Sequence, residues 1–147
     1  MWNMEIKKAT LKDVKKIHDL IEDYSKEGFM LYRTIIDLQH NIRNYFVCKE
    51  GKKLIGCCAL RVWDGKSAEI YALAVNKKAM GKGIGTELIK GCIEEAKKIE
   101  VPFVFTLTFR PSLFDKLNFK KIKVKSLPKI IFTEKTVNVD KAYGLKL

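Results

Sequence analysis

Gly81, Gly83 and Gly85 alternate with Lys82, Ile84 and Thr86 in one short run, and the chemistry open to such a run is the holding of an anion. Alternate glycines at the start of a helix leave backbone N–H groups bare of side chains. Together with the positive end of the helix dipole, those groups suit a phosphate. The spacing fits neither common nucleotide fingerprint: one needs Gly-Lys-Ser/Thr after a four-residue gap, the other Gly-x-Gly-x-x-Gly. The alternative is a turn whose glycines only let a strand and a helix pack closely. Other reactive side chains form no comparable constellation. Cys48, Cys57, Cys58 and Cys92 lack paired C-x-x-C spacing and sit in apolar stretches, so they read as buried reduced thiols. Cys57 and Cys58 are neighbours on a predicted strand and point to opposite faces, a poor chelating pair. His18 and His40 stand isolated on predicted helices, and no metal site is expected.

The elements on either side must carry the glycine run. Before it, Glu69, Tyr71, Leu73 and Val75 alternate with Ala68, Ile70, Ala72 and Ala74, and both sets are mostly apolar, as in a strand covered on both faces. After it, Ile84, Leu88, Ile89, Cys92, Ile93 and Ala96 fall on one side at helical spacing, with Glu87, Lys90, Glu94, Glu95, Lys97 and Lys98 on the other. Glu87 near the start and Lys97 and Lys98 near the end suit the helix dipole.

Upstream, residues 4–8 read as a first strand, and Thr10 with Asp13 resembles a capping box opening a helix that carries Val14, Ile17, Ile21 and Tyr24. An apolar loop, residues 28–33, ends in Arg33, and a second helix capped by Thr34 carries Ile35, Leu38 and Ile42. Residues 45–49, 53–63 and the central strand, separated by Glu50-Gly51-Lys52 and Asp64-Gly65-Lys66, predict three antiparallel strands joined by tight turns. Residues 103–108 form a further strand, parallel to the central one because a helix connects them. Pro111 opens a short helix through Leu117, Asn118 is its left-handed C-cap and Phe119 begins another strand. Residues 130–133 and 143–147 are expected to make the last hairpin.

The chain has 147 residues, 47% apolar and 31% charged, and suits one domain over 1–147 with a real core. No apolar run approaches the roughly 20 residues of a membrane span, and the N-terminus lacks a signal-peptide layout. No membrane association and a cytoplasmic address are therefore expected. The net charge of +12 draws polyanions in general, whether a coenzyme, a nucleic acid or an acidic metabolite. Its lysines are spread over nearly the whole chain, so a nucleic-acid partner is allowed but not favoured.

The glycine run resembles the acetyl-CoA signature of the GNAT acetyltransferases, Arg or Gln, two free positions, Gly, one free position, then Gly or Ala. Gly83 and Gly85 match, and Met80 stands in the Arg or Gln position. Residues 114–119 resemble the family's Phe-Tyr to Gly-Phe segment, with Asp115 in the tyrosine position and Asn118 in the glycine position. More narrowly, the pieces at 6–13, 41–47, 56–60, 68–70, 73–75, 107–108 and 126–128 resemble the small single-domain relatives of N-acetylglutamate synthase. Tyr71 departs from an Arg common in those relatives, and their cysteine-containing tail is absent. The resemblance implies an α/β (α+β) GNAT fold: a mixed, mostly antiparallel sheet with a splayed parallel pair, flanked by helices. It leaves room for a homodimer.

By that resemblance acetyl-CoA is the cosubstrate and no metal is needed. Backbone groups of Leu73, Ala74 and Val75 hold the pantetheine arm, and Met80, Gly81, Lys82, Gly83, Ile84, Gly85 and Thr86 line the pyrophosphate cradle. The N–H near Val75 faces the thioester oxygen. Glu69, an acid on an otherwise apolar strand face, is the candidate base; the alternative is a strand-end carboxylate paired with a lysine. Thr108 is a candidate hydrogen-bond donor. No cysteine is assigned as a nucleophile. The acceptor implied is the amine of an acidic amino acid, glutamate above all, as in arginine biosynthesis. Arg33 and Arg110 are favoured over Arg61 as its carboxylate partners. A polyamine, peptide N-terminus or lysine acceptor is the second reading, and a non-catalytic CoA- or RNA-binding module the third.

Overall fold

In the computed structural model the described residues are 4–123, 127 and 142–147. Among them the strands are β1 (Met4–Lys8), β2 (Tyr45–Glu50), β3 (Lys53–Asp64), β4 (Ser67–Val75), β5 (Phe103–Leu107), β6 (Lys120–Lys121) and β7 (Ala142–Lys146). The helices are α1 (Val14–Lys26), α2 (Ile35–His40), α3 (Ile84–Lys98) and α4 (Pro111–Asp115). The strands form one mixed α/β sheet in the order β1-β2-β3-β4-β5-β7-β6. Pairs β1–β2, β2–β3, β5–β7 and β6–β7 are antiparallel. β4 and β5 are parallel, in register at Ala68↔Val104 and Glu69↔Phe105, as a helical crossover through α3 demands. The meander turns are as short as expected: Gly51 and Lys52 join β2 to β3, with Gly51 at φ 61. Asp64 Oδ1 ties the next turn by accepting from the N–H groups of Lys66 (2.9 Å) and Ser67 (2.8 Å) and from the Ser67 hydroxyl (2.9 Å).

The chain divides into two compact units, Met1–Ala59 with Ala72–Cys92, and Leu60–Tyr71 with Ile93–Leu147. In the first unit the expected capping box forms, with the Thr10 N–H donating to Asp13 Oδ2 at 2.8 Å, and Asp13 also pairs with Lys49 at 2.7 Å. Residues 11–13 are a 3-10 turn, and α1 follows with Val14, Ile17, Leu20, Ile21 and Tyr24 buried. Thr34 caps α2 by accepting from the Asp37 N–H at 3.0 Å. This helix is shorter than its apolar spacing predicts: Asn41 leaves helical geometry at φ −109, ψ 13, and Ile42 falls in a separate 3-10 turn. Ile84, Leu88, Ile89 and Cys92 of α3 are buried. A Cβ on Gly56 of β3 would lie 3.0 Å from Leu88 Cδ1 and 3.1 Å from Ile84 Cγ2. The bare backbone there lets the first turns of α3 sit close on the strand.

In the second unit Phe105, Leu127 and Ala142 are buried, with Trp63, Phe103, Leu107 and Ile122 packed against them. α4 opens on Pro111 and ends at Asp115, two residues before the expected limit. Asn118 is left-handed, at φ 69, as expected. The Phe119 N–H donates to Phe114 O at 3.1 Å, and the two buried rings meet edge-on at 5.1 Å. Of the predicted last hairpin, residues 130–133 lie outside the described residues. β7 finds its partners in β5 and β6, with Gly144 opposite Phe105 on one side and Lys120 on the other. Among the described residues no helix is long and apolar enough to cross a membrane.

Candidate active site

In the first unit β4 ends in a distorted segment that leads to the glycine run. Ala72 has φ 53, a left-handed conformation that costs a residue with a Cβ about 1–2 kcal/mol. Such strain is held in place by its surroundings and gathers at functional sites. Here the Cys57 thiol donates to the Ala72 carbonyl at 3.4 Å. Leu73 and Val75 are half-buried and Ala74 is buried. Asn76 then starts a 3-10 turn, its side chain accepting from the Lys78 N–H at 3.0 Å.

Gly81 and Gly83 both have positive φ, 81 and 80, and a Cβ on either would meet nothing within 4 Å. The Gly83 carbonyl accepts from the Glu87 N–H at 3.1 Å, so Gly83 stands at the helix start with no side chain to cap the N–H groups of the first turn. An acceptor from outside the chain can take them. Ile84 and Gly85 are buried beneath it, Thr86 is half-buried, and Lys82 and Met80 are exposed. The residues therefore fit a diphosphate. Arg33, in the same unit, lies just before α2 and pairs with Asp37 at 3.8 Å.

The second unit holds the other candidates. Glu69 is buried, and its Oε1 accepts from Trp63 Nε1 at 3.0 Å and from Arg61 Nη2 at 3.3 Å. The paired-carboxylate alternative is thus realised with an arginine, not a lysine. The Arg61 guanidinium lies 4.6 Å from the ring centroids of both Trp63 and Tyr71, a stacked and ion-paired arrangement that favours Arg over Lys. Thr108 Oγ1 accepts from the Arg110 N–H at 2.8 Å, fixing the turn into α4, and the rest of Arg110 is exposed. Asp115 is exposed at the end of α4.

The model of the acetyltransferase (GNAT) family matches residues 14–119. An uncharacterized N-acetyltransferase of Chlorobaculum tepidum is 33% identical over 131 residues, 89% of this chain and 84% of its own. The chain belongs to the GNAT acetyltransferase family. It is accordingly an N-acetyltransferase that takes its acetyl group from acetyl-CoA. The amino-acid acetyltransferase of Mycobacterium tuberculosis is 26% identical over 88% of this chain and 75% of its own. N-acetylglutamate synthase from Neisseria gonorrhoeae, crystallised with coenzyme A and N-acetyl-glutamate, shares the fold at a TM-score of 0.87. That likeness covers 96% of this chain and 34% of the synthase, at 24% identity.

The remaining reactive groups of this GNAT enzyme lie outside the candidate chemistry. All four cysteines are buried and free. Burial pushes the Cys57 thiol up to about 12 and Cys48 to about 11, and it raises Cys58 well above its ordinary value. His18 is not isolated as its spacing suggests: its Nε2 lies 3.1 Å from the Tyr32 hydroxyl, and Asp19 and Glu22 flank its Nδ1 at 3.7 and 3.8 Å. Sequence reasoning missed Trp63, Ala72 and Tyr24. Only Tyr24 left a signal, a hydroxyl at a core position of a helix, which needs an acceptor somewhere.

Proposed function

We propose that this acetyltransferase acts in the cytoplasm and moves the acetyl group of acetyl-CoA onto the α-amine of glutamate or a related acidic amino acid. The observation that carries the donor half is the glycine-lined helix start at Gly81 and Gly83, which follows β4 in the chain. Residues 73–75 hold the pantetheine arm and residues 80–86 the diphosphate. The acceptor half rests on the amino-acid acetyltransferases among the relatives and on the basic charge. Arg33, which also pairs with Asp37, and Arg110 bind the two carboxylates, and Arg61 pairs with Glu69.

An α-amine has a pKa of about 8 and must shed a proton before it attacks. Glu69, aimed by Trp63 and Arg61, accepts that proton through a water. The amine then bonds to the thioester carbon, and the Val75 N–H donates to the oxygen on which charge develops, an interaction worth about 3 kcal/mol of barrier. The C–S bond breaks, and the departing thiolate, with a pKa of about 8.5, needs no strong acid. Thr108 supplies a hydrogen bond at most. Asp115, in the tyrosine position, is therefore no obstacle.

The deciding experiment measures release of CoA from acetyl-CoA over a panel of amino acids, polyamines and short peptides. Glutamate is expected to give the highest kcat/KM. A rate with another amine and none with glutamate would reject the acceptor assignment and keep the reaction. No turnover with any amine, and no acetyl-CoA binding by calorimetry, would reject both.

A further inference from the structure

Tyr24 lies in the last turn of α1, far in sequence from the donor segment, and its ring is buried at 5% exposure. Its hydroxyl donates a hydrogen bond to the carbonyl of Val75, the final residue of β4. The N–H on the other side of the same peptide unit, that of Asn76, donates to Ile55 O of β3 at 2.8 Å. A planar peptide held at both its oxygen and its nitrogen cannot turn about its flanking bonds. Two further contacts tie the same stretch to the same turn of helix: Lys77 pairs with Glu27, and its ammonium lies 5.9 Å from the Tyr24 ring centroid. At the other end of the segment the Cys57 thiol holds the Ala72 carbonyl. Residues 73–75 are thus stretched between two side-chain anchors.

We propose that Tyr24 is a positioning residue for acetyl transfer: its hydroxyl fixes the Val75–Asn76 peptide and thereby aims the Val75 N–H at the thioester oxygen. This rests on the donor placement proposed above. A buried carbonyl demands a partner, but water or a small shift could satisfy it; only a fixed donor keeps the preceding N–H in one direction. Electrostatic stabilisation of a developing charge depends on donors already in position, so a shift passed from this peptide to the adjoining Ala74–Val75 peptide, which carries that N–H, falls on the chemical step more than on binding.

Tyr24→Phe removes the hydroxyl and keeps the ring. In the free protein, amide exchange at Asn76 followed by NMR should speed up about tenfold, because the peptide loses one of its two holds. In steady-state kinetics kcat should fall about tenfold, while the acetyl-CoA Kd measured by calorimetry changes less than about twofold. Glu27→Gln, which loosens Lys77 but leaves the hydroxyl in place, should leave kcat unchanged. Unchanged Asn76 exchange in Tyr24→Phe overturns the anchor. Faster exchange with kcat unchanged overturns its role in positioning, as does a loss confined to thermal stability. If the wild-type protein binds no acetyl-CoA, the donor placement fails instead, and the exchange measurement still decides whether Tyr24 fixes the peptide.

Discussion

At the scale of single residues, the donor cradle proposed above depends on what Gly83 lacks. Its φ of 80 and the open space around it admit no side chain without strain, yet give ample room for a ligand. Gly83→Glu places both bulk and negative charge where the diphosphate is proposed to sit, so the Kd for acetyl-CoA should rise by at least about 100-fold. Calorimetry that finds wild-type affinity would remove the cradle from this turn. Glu69 makes a different claim, because the role proposed for it concerns the acceptor and not the donor. Glu69→Gln keeps a hydrogen-bond acceptor for the Trp63 N–H but cannot take a proton, so kcat should drop by about 10²–10⁴-fold with acetyl-CoA binding preserved. A loss smaller than about tenfold would leave Glu69 a structural partner of Arg61. The sequence displayed the glycine alternation openly, and Gly81 and Gly83 both take the positive φ that glycine favours. It concealed the Arg61, Trp63, Glu69 and Tyr71 cluster, which exists only once β3 and β4 lie side by side.

Helices and strands are held by local devices that could be read in advance and by distant ones that could not. The bond from Thr10 to Asp13 spans three residues and is visible as spacing; the Lys49 that completes it comes from β2. Burial pushes the Asp13 carboxyl up, but the Lys49 hydrogen bond, the Thr10 N–H and the charges of Lys49 and Lys7 together hold it below its ordinary value of 3.8. A depressed folded-state pKa means stability that is fully present above the unfolded value and is lost as pH falls through the folded one. Asp13→Asn should therefore cost about 1–3 kcal/mol at pH 7, and the gap to wild type should narrow below pH of about 4. Urea denaturation at pH 7 and pH 3 checks this; a gap of equal size at both would assign the loss to packing. Gly56 serves α3 in the same way that Asp13 serves α1. Gly56→Val should cost about 1–3 kcal/mol by wedging Leu88 and Ile84 away from β3, and it should weaken acetyl-CoA binding because Ile84 begins the helix of the cradle. Intact affinity in a folded Gly56→Val protein would separate the seating of α3 from the donor site. The shortened α2 has the same lesson at smaller scale: apolar spacing continues to Ile42, but Asn41 donates its side-chain amide to the Asp37 carbonyl at 2.9 Å and ends the helix.

The molecule as a whole carries a net charge of +12 and works on a donor with several negative charges. Dispersed lysines raise the local concentration of such a ligand without contacting it, and salt screens that attraction over about 10 Å at 0.1 M. The KM for acetyl-CoA should then rise several-fold between low salt and 0.5 M KCl, with kcat nearly constant; a flat KM would confine recognition to the backbone cradle. The order of elements was legible throughout the meander and the crossover because each is dictated by a turn or a helix between neighbours. The placement of β7 between β5 and β6 was not, since the sheet order departs there from the order of the chain. Finally, every cysteine is enclosed, with Cys48, Cys57 and Cys58 further held in the protonated form. A chromogenic disulfide reagent added to the native enzyme accordingly meets a nearly silent protein blank. Colour then counts product alone, and a sudden yield of four equivalents per chain reports that the enzyme has come apart.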